Sequence, residues 1–358
     1  MRYIIISIFL SSVVSQSFFD RVIVPFYIES EFSTGYDNNY LKLSSNEKDD
    51  DDILYVLGDS EKIDSGIIRN KTNFLYMPYI FRNHDTRFDF RVTTSKYLSS
   101  DLKSYSNYYM RLSQHLGPYT WFKCAYSYTP SFYLKSYAQS DPYILTSFED
   151  RSYNYMPSAF SSEKVSFELT SPIPYLRKTY WTVRYLSESQ YYNSDFTEFD
   201  LKINNYYFKV KKKINKYFNI SIAHMISEAD NISYLNGLVS TSNKDRGFRQ
   251  GKTYASFSIN NFFLFNKKTS LGTLYSLESR SFSSDVESDV LHFNRMHEDS
   301  NITYWIKSRI NNNIALKLKG SFRSRLTSSS SDYVENLKTF DKHEFWFSII
   351  FNWDVNVY

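Results

Sequence analysis

The chain has 358 residues, with 42 Lys and Arg against 38 Asp and Glu, a net charge of +4, and 19% aromatic residues that include 33 Tyr and 30 Phe. Rings at this density exclude a disordered chain, and a single cysteine, Cys124, excludes an internal disulfide framework and a cysteine-ligated zinc or iron–sulfur centre. The charge is scattered, with only short basic runs such as Lys211–Lys213, so no nucleic-acid partner is expected.

Residues 1–15, MRYIIISIFLSSVVS, join a basic start at Arg2 to the apolar stretch Tyr3–Val14, with small Val13 and Ser15 at cleavage-site spacing. This is the layout of an export signal peptide. The stretch is short of the roughly 20 apolar residues of a membrane helix, and no later segment reaches about 18. No cysteine follows it to carry a lipid anchor. Residues 16–35 read as a short N-terminal segment and residues 36–358 as the folded body.

That body alternates with a period of two, which places successive side chains on opposite faces of strands. The first strand is expected at Gly35–Leu43, GYDNNYLKL. In DTRFDFRVTT, residues 85–94, Phe88, Phe90 and Val92 oppose Arg87, Asp89 and Arg91. The next two strands carry Arg111 and Lys123 on their polar faces, with Cys124 on the apolar face beside Phe122 and Tyr126. Further on, Val165, Phe167 and Leu169 oppose Lys164, Ser166 and Glu168. Arg184, Glu188, Asp200 and Lys202 read as polar-face residues of the following pair, and Glu278 and Arg280 of a later one. Ile302, Tyr304 and Ile306 oppose Thr303, Lys307 and Arg309; Ile314, Leu316, Leu318, Phe322 and Leu326 oppose Lys317, Lys319, Arg323 and Arg325. In the ending, FWFSIIFNWDVNVY, Phe345, Phe347, Ile349, Phe351, Trp353, Val355 and Val357 share one face, while Tyr358 falls on the other. No amphipathic helix of three turns is evident after residue 35.

The reading yields about fourteen strands, most of roughly 9–15 residues, longer than the 5–6 usual in soluble sandwiches and long enough to cross a bilayer. Short connections at residues 83–85, 116–118, 172–174, 213–215, 266–268 and 311–313 alternate with polar segments at 45–68, 96–104, 130–161, 187–195, 228–249, 283–299 and 328–341. Outer-membrane barrels alternate in this way. The expected fold is therefore all-β: one transmembrane antiparallel β-barrel of about 14 strands, with twelve to sixteen also fitting the rhythm.

The signal peptide, Tyr-rich amphipathic strands, turn rhythm and aromatic-rich last strand together resemble bacterial outer-membrane β-barrel proteins of the porin-like kind. The resemblance is architectural and carries no catalytic motif. It implies a Gram-negative outer-membrane location, with lipid, lipopolysaccharide and the barrel-assembly machinery as partners. The implied function is a channel for small hydrophilic solutes; the alternative is a non-conducting scaffold that binds through its long loops.

No G-x-S-x-G elbow, Walker A loop or H-E-x-x-H motif occurs, so neither an enzyme nor a cofactor is expected. His292 and His297, near Glu298 and Asp299, form the one grouping suited to a metal, and a solvated loop is the plainer reading. Asp49–Asp52 is an acidic run in the first long loop, expected to be solvated. The usable signal is inward charge. Candidate lining cations are Arg87, Arg91, Arg111, Arg184, Lys202, Arg280, Lys307, Arg309, Lys317, Lys319, Arg323 and Arg325, joined by Lys123 and Lys164. Their excess over Asp89, Glu168, Glu188, Asp200 and Glu278 points to a preference for anions if the lumen is open. Residues 130–161 are the candidate constriction or surface loop.

Overall fold

In the computed structural model the residues described are 22–49, 53–81, 84–138, 155–232, 246–284, 287 and 291–355. The export signal, the acidic run beyond Asp49 and Tyr358 lie outside them. The period-two segments form fourteen strands: β1 (Phe26–Asp37), β2 (Ser65–Tyr76), β3 (Thr86–Tyr97), β4 (Tyr105–Gly117), β5 (Thr120–Ala138), β6 (Tyr155–Pro172), β7 (Thr179–Tyr192), β8 (Leu201–Lys213), β9 (Phe218–Asn231), β10 (Phe248–Leu264), β11 (Lys267–Phe282), β12 (Met296–Arg309), β13 (Ile314–Ser328) and β14 (Phe340–Val355). Each pairs antiparallel with its neighbours in sequence, and β1 pairs with β14, so the sheet closes into one barrel.

Two expectations about boundaries change. The first strand is Phe26–Asp37, not Gly35–Leu43, so the wall begins inside the segment read as N-terminal to it. Ser30 and Thr34 interrupt the outward stripe of Phe26, Ile28, Phe32 and Tyr36 there, and alternation alone undervalues that strand. The segment 130–161 also shrinks, because β5 and β6 run on to Ala138 and from Tyr155. Its remaining centre, 139–154, lies outside the described residues.

The two faces of the wall differ sharply. Phe74, Phe88, Met110, Phe122, Phe167, Ile222, Leu318 and Phe347 are exposed on the outer face. Rings stack from strand to strand there, as in Phe26 on Tyr76 at 4.9 Å and Tyr76 on Phe88 at 6.1 Å. So large an apolar surface is unstable in water. A bilayer accepts it, because closure leaves no unpaired backbone facing lipid.

On the inner face two glycines make room for tryptophans of the neighbouring strand. Gly35 is paired with Trp346, and Gly272 with Trp305. A Cβ at Gly35 would lie 2.5 Å from the Trp346 ring, and one at Gly272 2.7 Å from the Trp305 ring. The missing side chain lets each indole lie flat over its neighbour's backbone.

Six connections, five of them of two to six residues, lie at the end that also holds both strand termini, and seven, each of seven residues or more, lie at the other end. The first long connection, residues 38–64, contains two short helices, Ser45–Lys48 and Ile53–Leu57. It folds inward: Tyr40, Leu41, Leu43 and Leu57 are buried against Ile67, Tyr97, Tyr133 and Trp346 of the inner wall.

Three substitutions test this wall. Gly35→Val is expected to cost about 1–3 kcal/mol by overpacking and to displace Trp346, read as a lower unfolding temperature of the heat-modifiable barrel band. Leu318→Arg, on the outer face, is expected to cost about 2–4 kcal/mol in a bilayer, whereas Thr303→Arg on the inner face leaves the band unchanged.

Candidate pore lumen

Directly paired residues share a face, so register carries one surface around the barrel. Asp89 lies opposite Arg111, Glu168 opposite both Lys123 and Arg184, Lys252 opposite Glu278, Glu278 opposite Asp299, and Asp299 opposite Arg325. Arg87 and Arg91 share the face of Asp89; Lys307 faces Lys317, and Arg309 and Lys319 continue that face. Arg280 and Arg323 lie on it as well. Lys164 joins them opposite Glu188.

Lys202 does not. It pairs with Ser189 and Asp230, and Ser189 with Glu163, on the same side as exposed Tyr206 and Phe208. At this end of β8 the inner positions are Leu201 and Ile203, buried with Ala229 and Phe248. Polar residues therefore stand outside and apolar ones inside, the reverse of the usual barrel order. Glu163, Lys202 and Asp230 belong to a polar rim at the loop end of the outer wall. Asp200 precedes β8 and accepts a hydrogen bond from the Tyr192 amide at 2.7 Å.

Most inner acids are engaged; Glu29, which lines the mid-wall cavity, has no base within ion-pair distance among the described residues. Asp89 holds Arg111 at 2.9 Å, Glu168 holds Lys123 at 2.6 Å, and Glu188 holds Lys164 at 2.9 Å. Glu278 holds Lys252 at 3.0 Å and Arg280 at 3.2 Å. Asp299 takes Arg323 and Arg325 at 3.0 and 2.7 Å. Glu31 takes Lys317 at 3.0 Å and Lys71 at 3.5 Å. Asp37 and Glu344 share Lys342 at 2.6 and 3.0 Å. Arg91, Lys209, Lys211, Lys307, Arg309 and Lys319 have no carboxylate within ion-pair distance among the described residues. Arg91 instead lies over the Tyr109 ring at 4.7 Å. Most of the negative charge is thus neutralised locally, and the unpaired remainder is mainly positive.

Sequence reading missed Glu31, Lys71, Asp299, Lys342 and Glu344, and the inward row Lys209, Lys211 and Lys213. The row was hidden because Lys212, on the outer face, interrupts the alternation with a fourth basic residue. His297 and Asp299 do face inward, but His297 bonds Thr327 at 2.9 Å and Asp299 is held by arginines. Glu298, between them, points to the opposite face. Among the described residues no group of three or more metal-ligating side chains forms.

Beyond a cavity of about 480 Å³ at the turn end, lined by Lys211, Lys213, Lys216 and Asn219, two more lie along the inner face. One of about 440 Å³ is lined by Glu29, Glu31, Lys71, Thr303, Lys307, Lys317 and Lys319 in the middle of the wall. The second, of about 270 Å³, lies under the inward loop at the loop end.

The loop is pinned at several points. Lys135 of β5 forms an ion pair with Glu47, which also closes the capping box of Ser44. Asp59 accepts from the Ser100 hydroxyl at 2.5 Å and the Leu102 amide at 2.8 Å. Asn39 donates to the carbonyls of Leu43 and Asp341 at 2.8 and 3.0 Å. Lys103, on the next loop, donates to the Tyr133 carbonyl at 2.5 Å with its ammonium 4.5 Å from the Phe132 ring centre. Burial, with the nearby Lys342 charge, lowers its pKa to about 7.

Lys135→Met strips the cation from Glu47, which is only 7% exposed. Breaking a buried pair on one side costs about 3–5 kcal/mol. Faster amide exchange across residues 38–49 is expected, with partial recovery in Lys135→Met/Glu47→Gln. Lys103 has a second consequence. Its pKa is lower folded than unfolded, so between about pH 7 and the ordinary lysine range of roughly 10.4 the unfolded loop binds more protons. Packing of this loop is therefore expected to tighten as pH rises from about 7 toward the ordinary lysine range and to change little below about 7. Amide exchange of residues 98–104 at pH 6 and 9, corrected for intrinsic rates, measures this; Lys103→Met is expected to abolish the difference.

No protein-family model matches the chain, and no curated protein matches it in sequence. Among solved structures it is similar to a bacterial polysaccharide outer membrane secretin, at 8% identity and a TM-score of 0.42 over 90% of this chain and 98% of that one. It is similar to an anion-selective porin from Comamonas acidovorans at 6% identity and 0.41, over 92% and 98%. It is similar also to the outer membrane protein OprD from Pseudomonas aeruginosa at 7% and 0.41, over 93% and 94%. These are likenesses between barrels, and none carries a function across.

Proposed function

We propose that the chain is an outer-membrane channel for small hydrophilic solutes that favours anions. The observation supporting this most is the charge pattern of the inner face. Most of its acids are tied to bases, Glu29 being an exception, while Arg91, Lys209, Lys211, Lys307, Arg309 and Lys319 are left without carboxylate partners among the described residues. Fixed charge on a low-dielectric wall concentrates counter-ions and repels co-ions. No reacting group is required of the protein, since selection rests on width, wall charge and the inward loop. Export through the signal at residues 1–15, insertion by the barrel-assembly machinery, and lipid and lipopolysaccharide around the outer wall complete the reading.

A second reading is favoured by the folded loop 38–64. A loop with its own buried apolar cluster suits a non-conducting scaffold that displays a surface for binding.

Reconstitution in planar bilayers under a KCl gradient separates the two. The channel reading expects discrete conductance with a reversal potential on the chloride side. A silent protein favours the scaffold, and a cation-selective current overturns the anion preference. The double variant Lys307→Glu, Lys319→Glu, at two cations without carboxylate partners, is expected to move the reversal potential toward potassium without changing the yield of folded barrel.

A further inference from the structure

The 270 Å³ cavity under the inward loop has three chemically different sides. Its basic side combines Lys42 from the loop, Arg69 of β2 and Arg323 of β13. Its neutral polar side is Asn301 and Ser321, whose hydroxyl donates to the Asn301 carbonyl oxygen at 3.1 Å. Its apolar side is formed by the rings of Tyr105 and Phe132, 5.2 Å apart in an edge-to-face arrangement.

One carboxylate, Glu344, also lines the cavity, and it is held at 3.0 Å by Lys342, a further lining residue. Arg323 is committed to Asp299, and Lys342 to Asp37 and Glu344. Arg69 donates through Nε to Ser95 at 3.0 Å and stacks on Trp346 at 4.0 Å. Lys42 lines the cavity, and among the described residues neither it nor Arg69 has a carboxylate in ion-pair range. Its backbone is held at φ 61°, where a lysine is seldom found. Asn39 fixes that turn: its carbonyl oxygen accepts from the Leu43 amide at 2.7 Å and its amide donates back to the Leu43 carbonyl. Burial of Leu41 and Leu43 on either side then presents Lys42 to the cavity.

We propose that this cavity is a binding subsite for a small hydroxylated organic anion, such as a sugar acid or hydroxy acid. Its carboxylate would meet Lys42 and Arg69, its hydroxyls Asn301 and Ser321, and its carbon face Tyr105 and Phe132. The volume is just below the 300–1,000 Å³ typical of small-molecule sites, so one monomer fits rather than a chain. A bare inorganic anion leaves the aromatic side unused, and a neutral sugar leaves the cations unanswered. The inference rests on the channel reading only for how the solute reaches the cavity.

The test is titration of the detergent-solubilised full chain with gluconate, by calorimetry and by tryptophan fluorescence, since Trp346 lies against Arg69. Saturable gluconate binding is expected, weaker for acetate and phosphate and absent for glucose. Arg69→Lys and Lys42→Gln, each checked for the heat-modifiable band, are expected to weaken it about tenfold, the scale of one charge-assisted hydrogen bond. Asn301→Ala with Ser321→Ala is expected to erase the preference for gluconate over acetate. Equal binding of phosphate or glucose, or affinity unchanged in both basic variants, overturns the proposal. A protein that is silent in bilayers yet binds gluconate keeps the subsite and loses the channel. Anion-selective current without gluconate binding does the opposite.

Discussion

The pairing of β1 with β14 is the constraint on which the rest of this molecule depends. From Phe26 opposite Val355 to Asp37 opposite Glu344, it turns an open sheet with two exposed edges into a wall with none. In hydrocarbon each unsatisfied N–H or C=O costs several kcal/mol, so an open sheet with this apolar outer face would have no stable environment. Closure also creates an interior. Only a closed wall allows Arg69 of β2 and Lys317 of β13 to face one lumen across a seam between the chain's two ends. Glu31 uses that geometry, taking Lys71 from one side of the seam and Lys317 from the other.

The inward loop follows from the same closure. Trp346 lies on β14 and can pack flat only because Gly35 on β1 has no side chain. That indole supports Arg69 on the lumen side and borders the apolar cluster of Tyr40, Leu41, Leu43 and Leu57. The loop therefore depends on wall residues more than 270 positions away in sequence. Its own helices, of four and five residues, are too short to stand alone.

Strand number, antiparallel order, the alternation of short and long connections, and the sidedness of most lining cations were legible in the sequence. All follow from a period-two pattern that each strand displays by itself. What was not legible depends on partners distant in sequence. Nothing local to Asp299 says that Arg323 and Arg325 will hold it, and nothing local to Lys42 says that its loop turns inward. Lys202 was misplaced because alternation was extended to the loop end of β8, where the wall leaves the lipid zone and the rule relating polarity to side lapses. β1 was displaced because Ser30 and Thr34 break its outward apolar stripe, which weakens the alternation.

The ion pairs and the unpaired cations act on different scales. A carboxylate at 2.6–3.0 Å from its base cancels charge within a few ångströms and adds little net field at the lumen axis. An unpaired lysine or arginine acts over roughly a Debye length, about 8–10 Å at physiological ionic strength. Such cations recur along the wall: Lys42 and Arg69 at the loop end, Lys307 and Lys319 in the middle, and Lys209 and Lys211 toward the turn end. Pairing the acids therefore does more than stabilise the wall. It removes the negative patches that would interrupt the field, so that an anion leaving one basic group enters the range of the next.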